Sequence, residues 1–138
     1  MATTLIESCA DGRLRELLPA LETRLGVADS DRLLVPGGPL ALVRDQRERG
    51  VVLEWLDRLV DGHDIELVCL VSHEDYLAYS TRLMGIADGE RKVLERDLAS
   101  AERLIEDRYP SLRVECFVVP RELGRRPGRL ASPERVAL

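Results

Sequence analysis

Along this 138-residue chain the apolar positions follow two different periods. Three stretches repeat at every third or fourth residue, the spacing that builds one apolar stripe on a helix. Leu14, Leu17, Leu18, Leu21 and Leu25 form the first, with Gly26 placed to end it. Val52, Leu56, Leu59 and Val60 form the second, which stops near Gly62. Leu94, Leu98, Ala101 and Ile105 form the third, with Asp88 as candidate N-cap and Pro110 just past its end. Between them lie short apolar runs with β-branched residues: 3–8, 32–35, 65–71 and 113–119. Runs of that length and composition read as buried strands.

The resulting order β-α-β-α-β-α-β predicts an α/β fold. Strands that alternate with helices form a parallel sheet with right-handed crossovers, here four strands in the order 2-1-3-4 with helices on both faces. Residues 1–120 make one domain, and residues 121–138 read as an Arg/Pro-rich tail, flexible or draped on a partner.

Composition narrows the function. Hydrophobic residues are 45% of the chain and charged residues 33%, as in globular domains. The net charge of −5 divides unevenly: residues 1–120 hold 15 basic and 23 acidic side chains, and residues 121–138 hold 5 and 2. An acidic body with only five aromatic residues argues against nucleic acid, because it repels phosphate and offers few stacking surfaces. The basic residues Arg121, Arg125, Arg126 and Arg129 form a weak patch broken by Pro and Gly. No apolar run is long enough to cross a bilayer, so no membrane contact is expected. The N-terminus lacks the pattern of a signal peptide, and the three cysteines are too few and too scattered for a disulfide framework. A reducing, cytoplasmic setting is the expectation.

In open parallel sheets, sites form beyond the carboxyl ends of the strands. The first strand brings Cys9, Asp11 and Arg13 to that edge, the second the turn Pro36-Gly37-Gly38-Pro39, and the third His73, Glu74, Asp75 and Tyr76. Thiolate and imidazole are both zinc ligands, and Asp11 offers an oxygen as a third. Equally, Cys9 suits core packing and His73 a hydrogen bond at a strand end. Asp11 and Arg13 can form a charge-assisted pair, or Asp11 can cap the first helix while Arg13 stays solvated. The glycine turn allows positive φ and close backbone approach to a small ligand, but it is not a phosphate loop. Cys9 next to a helix start and Arg13 also has the setting of a nucleophile. Glu74 and Asp75 read as solvated acids, Cys69 and Cys116 as core, and Tyr76 and Tyr79 as packing residues.

Cys9-x-Asp11-x-Arg13, the glycine turn and His73, in that order on successive strands, resemble the β-class carbonic anhydrases, and most closely their short bacterial and archaeal relatives. The likeness spans roughly residues 3–120. It implies a zinc lyase that hydrates CO2 to bicarbonate through a zinc-bound hydroxide. It also implies a homodimer with sites near the subunit interface. Zinc would be held by Cys9, by His73 and by a Cys three residues after that His, where this chain has Tyr76. The catalytic dyad would be Asp11 and Arg13, with Gly37, Gly38 and Tyr76 lining the pocket. A phenol with a pKa near 10 is a poor zinc ligand, so the metal site reads as degenerate. The expectation is a small-anion-binding or weakly active relative, taking a CO2- or bicarbonate-like molecule.

Overall fold

The computed structural model describes residues 3–27, 29–74, 89–121 and 130–138. At its centre β1 (Thr4–Cys9) is buried along its whole length. It pairs in parallel with β2 (Asp31–Val35) on one side and β3 (Leu67–His73) on the other. β3 pairs in parallel with β4 (Arg113–Val119). The sheet is thus parallel in the expected order 2-1-3-4.

A fifth strand corrects the four-strand expectation. β5 (Glu134–Val136) pairs antiparallel with β4 and extends the sheet to β2-β1-β3-β4-β5. The end of the supposed tail is therefore tied down. Arg121 and Leu130 form an isolated antiparallel bridge, Arg135 pairs with Glu115 at 2.9 Å, and Arg24 donates to the Pro133 carbonyl at 2.5 Å. Three residues of strand are too short to announce themselves by alternation. Arg125, Arg126 and Arg129 lie outside the described residues.

Helices cover both faces. α1 (Leu17–Leu25) sends Leu18 and Leu21 into one core layer with Ile6, Cys69, Val71 and Phe117. It ends as expected, with Gly26 at φ 71°. Its predicted start at Leu14 is instead a 3-10 turn over Gly12–Leu14. The opposite face is covered by α2 (Ala41–Arg44), α3 (Gln46–His63) and α4 (Gly89–Arg108), whose Leu42, Val52, Leu56, Leu94 and Leu98 pack with Leu5, Val68 and Leu70. Asp88, the expected N-cap of α4, lies outside the described residues. Cys69 and Cys116 are core residues, as expected. No helix among the described residues is long and apolar enough to cross a membrane.

Candidate functional site

The carboxyl ends of β1, β2 and β3 are neighbours, and the candidate residues meet there. Cys9 is the last residue of β1, and His73 is the last residue of β3. Both are buried. β3 runs two residues further than its apolar run predicts, which puts the imidazole on the strand rather than in the loop after it. The His73 ring and the Cys9 thiol are close enough to act on each other's titration. Its Nδ1 is 2.6 Å from the Glu74 carbonyl, and its Nε2 is 3.9 Å from Asp11 Oδ2. A carbonyl can only accept, so Nδ1 carries a proton and Nε2 is the nitrogen turned toward Asp11.

β2 supplies the floor of the site. Beyond Val35, the turn sends the Gly37 N–H to the Cys9 sulfur at 3.3 Å. Gly37 and Gly38 both have positive φ, at 86° and 56°. A Cβ on Gly38 would lie 2.7 Å from the Cys9 backbone nitrogen and 3.0 Å from the Ser8 carbonyl carbon. The turn touches the end of β1 with bare backbone, and a side chain would force it away.

Asp11 takes both roles weighed for it. Its Oδ1 accepts the Arg13 backbone N–H at 2.9 Å, capping the 3-10 turn. Its carboxylate also takes the guanidinium on both oxygens, with Arg13 Nη2 2.7 Å from Oδ2 and Nε 3.1 Å from Oδ1. Hydrogen bonding from Arg13 outweighs partial burial and holds the Asp11 pKa down to about 2. Burial pushes the Cys9 thiol up, but His73 and the backbone of Gly37 and Asp11 outweigh it, leaving the thiol below its ordinary value. Burial alone would lower the imidazole, yet Cys9, the Glu74 carbonyl and the Asp11 charge raise it.

Glu74 is not the solvated acid that its sequence context suggests. Its side chain accepts the Arg121 N–H at 3.0 Å and lies 3.9 Å from Arg91, which also reaches Glu95 and Glu134. These partners are distant in sequence, and no local signal points to them. Tyr76, Tyr79 and Asp75 lie outside the described residues.

Cys9 and His73 end adjacent strands, with Asp11 beside His73, but both Asp11 oxygens accept from Arg13. Among the described residues no group of three or more His, Cys, Asp or Glu side chains is arranged to hold a metal ion. These residues do not close a zinc shell, which needs about four ligands.

No family model matches the chain. It is 29% identical over 125 residues to an uncharacterized protein of Rickettsia bellii, across 86% of this chain and 76% of the relative. It is 28% identical over 125 residues to an uncharacterized protein of Rickettsia conorii, across 86% of this chain and 67% of the relative. Among solved structures, it is similar to the β-carbonic anhydrase CafA of the fungal pathogen Aspergillus fumigatus, with a TM-score of 0.45 and 18% identity over 86% of this chain and 71% of that one.

Proposed function

We propose that the Cys9, Asp11, Arg13 and His73 site binds a small hydroxylated anion of the bicarbonate type, in a carbonic-anhydrase-like protein whose metal site is degenerate. The observation that carries this reading is the 3.9 Å approach of an ionised, Arg-locked Asp11 to His73 Nε2. An ionised carboxylate only accepts hydrogen bonds, so it selects a ligand with an O–H to give. The raised imidazole pKa favours a second proton on the ring, making Nε2 a donor next to that acceptor. Bicarbonate offers one hydroxyl and two anionic oxygens, and so meets both demands. Arg13 adds positive charge and fixes the carboxylate plane.

The test is calorimetric titration of the full chain with bicarbonate, beside the Asp11→Asn and Arg13→Ala variants. Either variant should weaken binding about tenfold or more, the usual cost of losing a charge-assisted hydrogen bond. Equal affinity in the wild type and both variants would sink the reading.

One observation favours a zinc-dependent hydratase as the second reading: Cys9 and His73, two of the three ligands implied by the resemblance, end the adjacent strands β1 and β3 and act on each other's titration. With Tyr76 at the third position, zinc should bind below full occupancy, and Tyr76→Cys should raise it. Elemental analysis of both proteins after growth in zinc separates the readings. A wild type saturated with zinc, and active in CO2 hydration, supports the hydratase instead.

A further inference from the structure

The helical layer that covers Leu5 and Leu70 holds a groove of about 430 Å³ between α4 and the corner of α2 and α3. None of the described residues that line it belongs to the Cys9–His73 site. Asp97, Ser100, Leu104 and Asp107 recur along α4 at the spacing of one flank, beside the buried stripe that starts at Leu94. That flank runs about 15 Å along the helix axis. Arg49, in the first turn of α3, lies across from it. Asp57 accepts from Arg108 Nε at 2.9 Å and from Tyr109, so its side of α3 faces α4. Arg49 stands about 80° round the helix from Asp57, between it and the buried Val52 and Leu56. Leu42 and Val43 of α2, with Leu104, give the groove its apolar lining.

The charges in this groove do not neutralise one another. Arg49 is half-buried, and its guanidinium has no hydrogen-bond or ion-pair partner among the described residues. Arg103 and Asp107 stand one turn apart on α4, the spacing of a helix ion pair, yet neither side chain has a partner among the described residues. Outside the groove, guanidiniums on the same two helices do pair: Arg58 with Glu54, Arg91 with Glu95 and Arg108 with Asp57.

Both signs of charge beside an apolar lining select the ligand. An anion alone would meet the carboxylates of Asp97 and Asp107, and a cation alone would meet two guanidiniums. An uncharged apolar molecule would cover Arg49 without giving it a counter-ion, which costs affinity. A carboxylate matches the planar fork of a guanidinium, and an ammonium matches a carboxylate acceptor.

We propose that this groove binds a small zwitterion of the amino-acid class, a free amino acid or short peptide with an apolar side chain. Its carboxylate meets Arg49 and Arg103, its ammonium meets Asp107, and its side chain lies on Val43 and Leu104. What the Cys9–His73 site binds has no bearing on this groove.

Heteronuclear NMR titration of the full chain with L-leucine and with L-leucyl-L-leucine tests the site. At least one should bind saturably at millimolar concentration or below, with shifts along α4 from Asp97 to Asp107. Blocking that ligand's amine as the N-acetyl form, or its carboxylate as the amide, should weaken binding about tenfold or more. Arg49→Gln should weaken the free ligand by a similar factor and leave the amide unchanged, because both changes remove the same contact. Arg103→Gln, at an exposed residue, repeats that comparison, and Asp107→Asn makes it against the N-acetyl form. Circular dichroism checks that each variant keeps the native fold. The site is overturned if neither ligand binds, if blocked forms bind as well as free ones, or if the three variants bind the free ligand as tightly as the wild type. Binding that Asp11→Asn abolishes and Arg49→Gln leaves intact would put the ligand at the Cys9–His73 site and overturn the groove as well.

Discussion

Glu7 stands in the middle of β1, fully buried, and neither of its carboxyl oxygens has a hydrogen-bond partner among the described residues. Burial, with the nearby Cys9, pushes its pKa well above the ordinary value of 4.5. A buried acid with a raised pKa destabilises the fold once the unfolded chain can ionise. Stability is therefore lost as pH climbs above about 4.5 toward the folded-state pKa. Glu7→Met should stabilise the protein by about 1–3 kcal/mol at neutral pH and remove that slope. Denaturant melts across the pH range measure both effects, and a less stable Glu7→Met would show that the carboxyl has a partner in solution. Asp11 has the opposite sign. Its pKa falls from 3.8 to about 2, so its pairing with Arg13 supports the fold above about pH 4 and is lost as pH drops toward 2. Asp11→Asn should cost about 1–2 kcal/mol at neutral pH, allowing for its partial exposure, and nothing near pH ~2. Gly38→Ala forces a Cβ to within 2.7 Å of the Cys9 nitrogen at φ 56°. It should lower stability by about 2 kcal/mol or more in thermal or chemical unfolding.

At the scale of elements, apolar period located all four parallel strands and the three long helices, because each buries a stripe or a whole run. It failed where an element is short or ends at a polar residue. α2 is one turn, too brief for a period, and β5 has three residues. β3 continues through Ser72 and His73, buried polar residues that end the apolar run before they end the strand. The start of α3 did carry a signal. Asp45 accepts from the N–H groups of Arg47 and Glu48, and Asp-x-x-Glu is the spacing of a capping box. Asp45→Ala should lower stability by about 1 kcal/mol and fray the first turn of α3. Hydrogen exchange at Arg47 and Glu48 reports the fraying, and unchanged protection there would mean that the cap is idle.

Over the whole molecule, the site was legible because topology leaves a parallel sheet few choices. Residues that follow adjacent strands must arrive at one edge, and Cys9, Asp11, Arg13, Gly37 and His73 do. Their electrostatics were less legible. The bidentate Asp11–Arg13 contact was one of two readings, and the approach of Asp11 to His73 joins residues 62 positions apart. Glu7 gave no warning, since one acid in a six-residue strand passes for a solvent-facing position until both faces are found covered. The arrangement that results sets an ionised, Arg13-bound carboxylate 3.9 Å from the His73 ring, an acceptor beside a donor in the proposed function. Its most direct test follows the His73 ring resonances by NMR during addition of bicarbonate at neutral pH. Saturable shifts in the wild type that vanish in Arg13→Ala are the predicted result. Ring resonances that do not move on addition of bicarbonate, in a protein whose Asp11–Arg13 pair is intact, would contradict it.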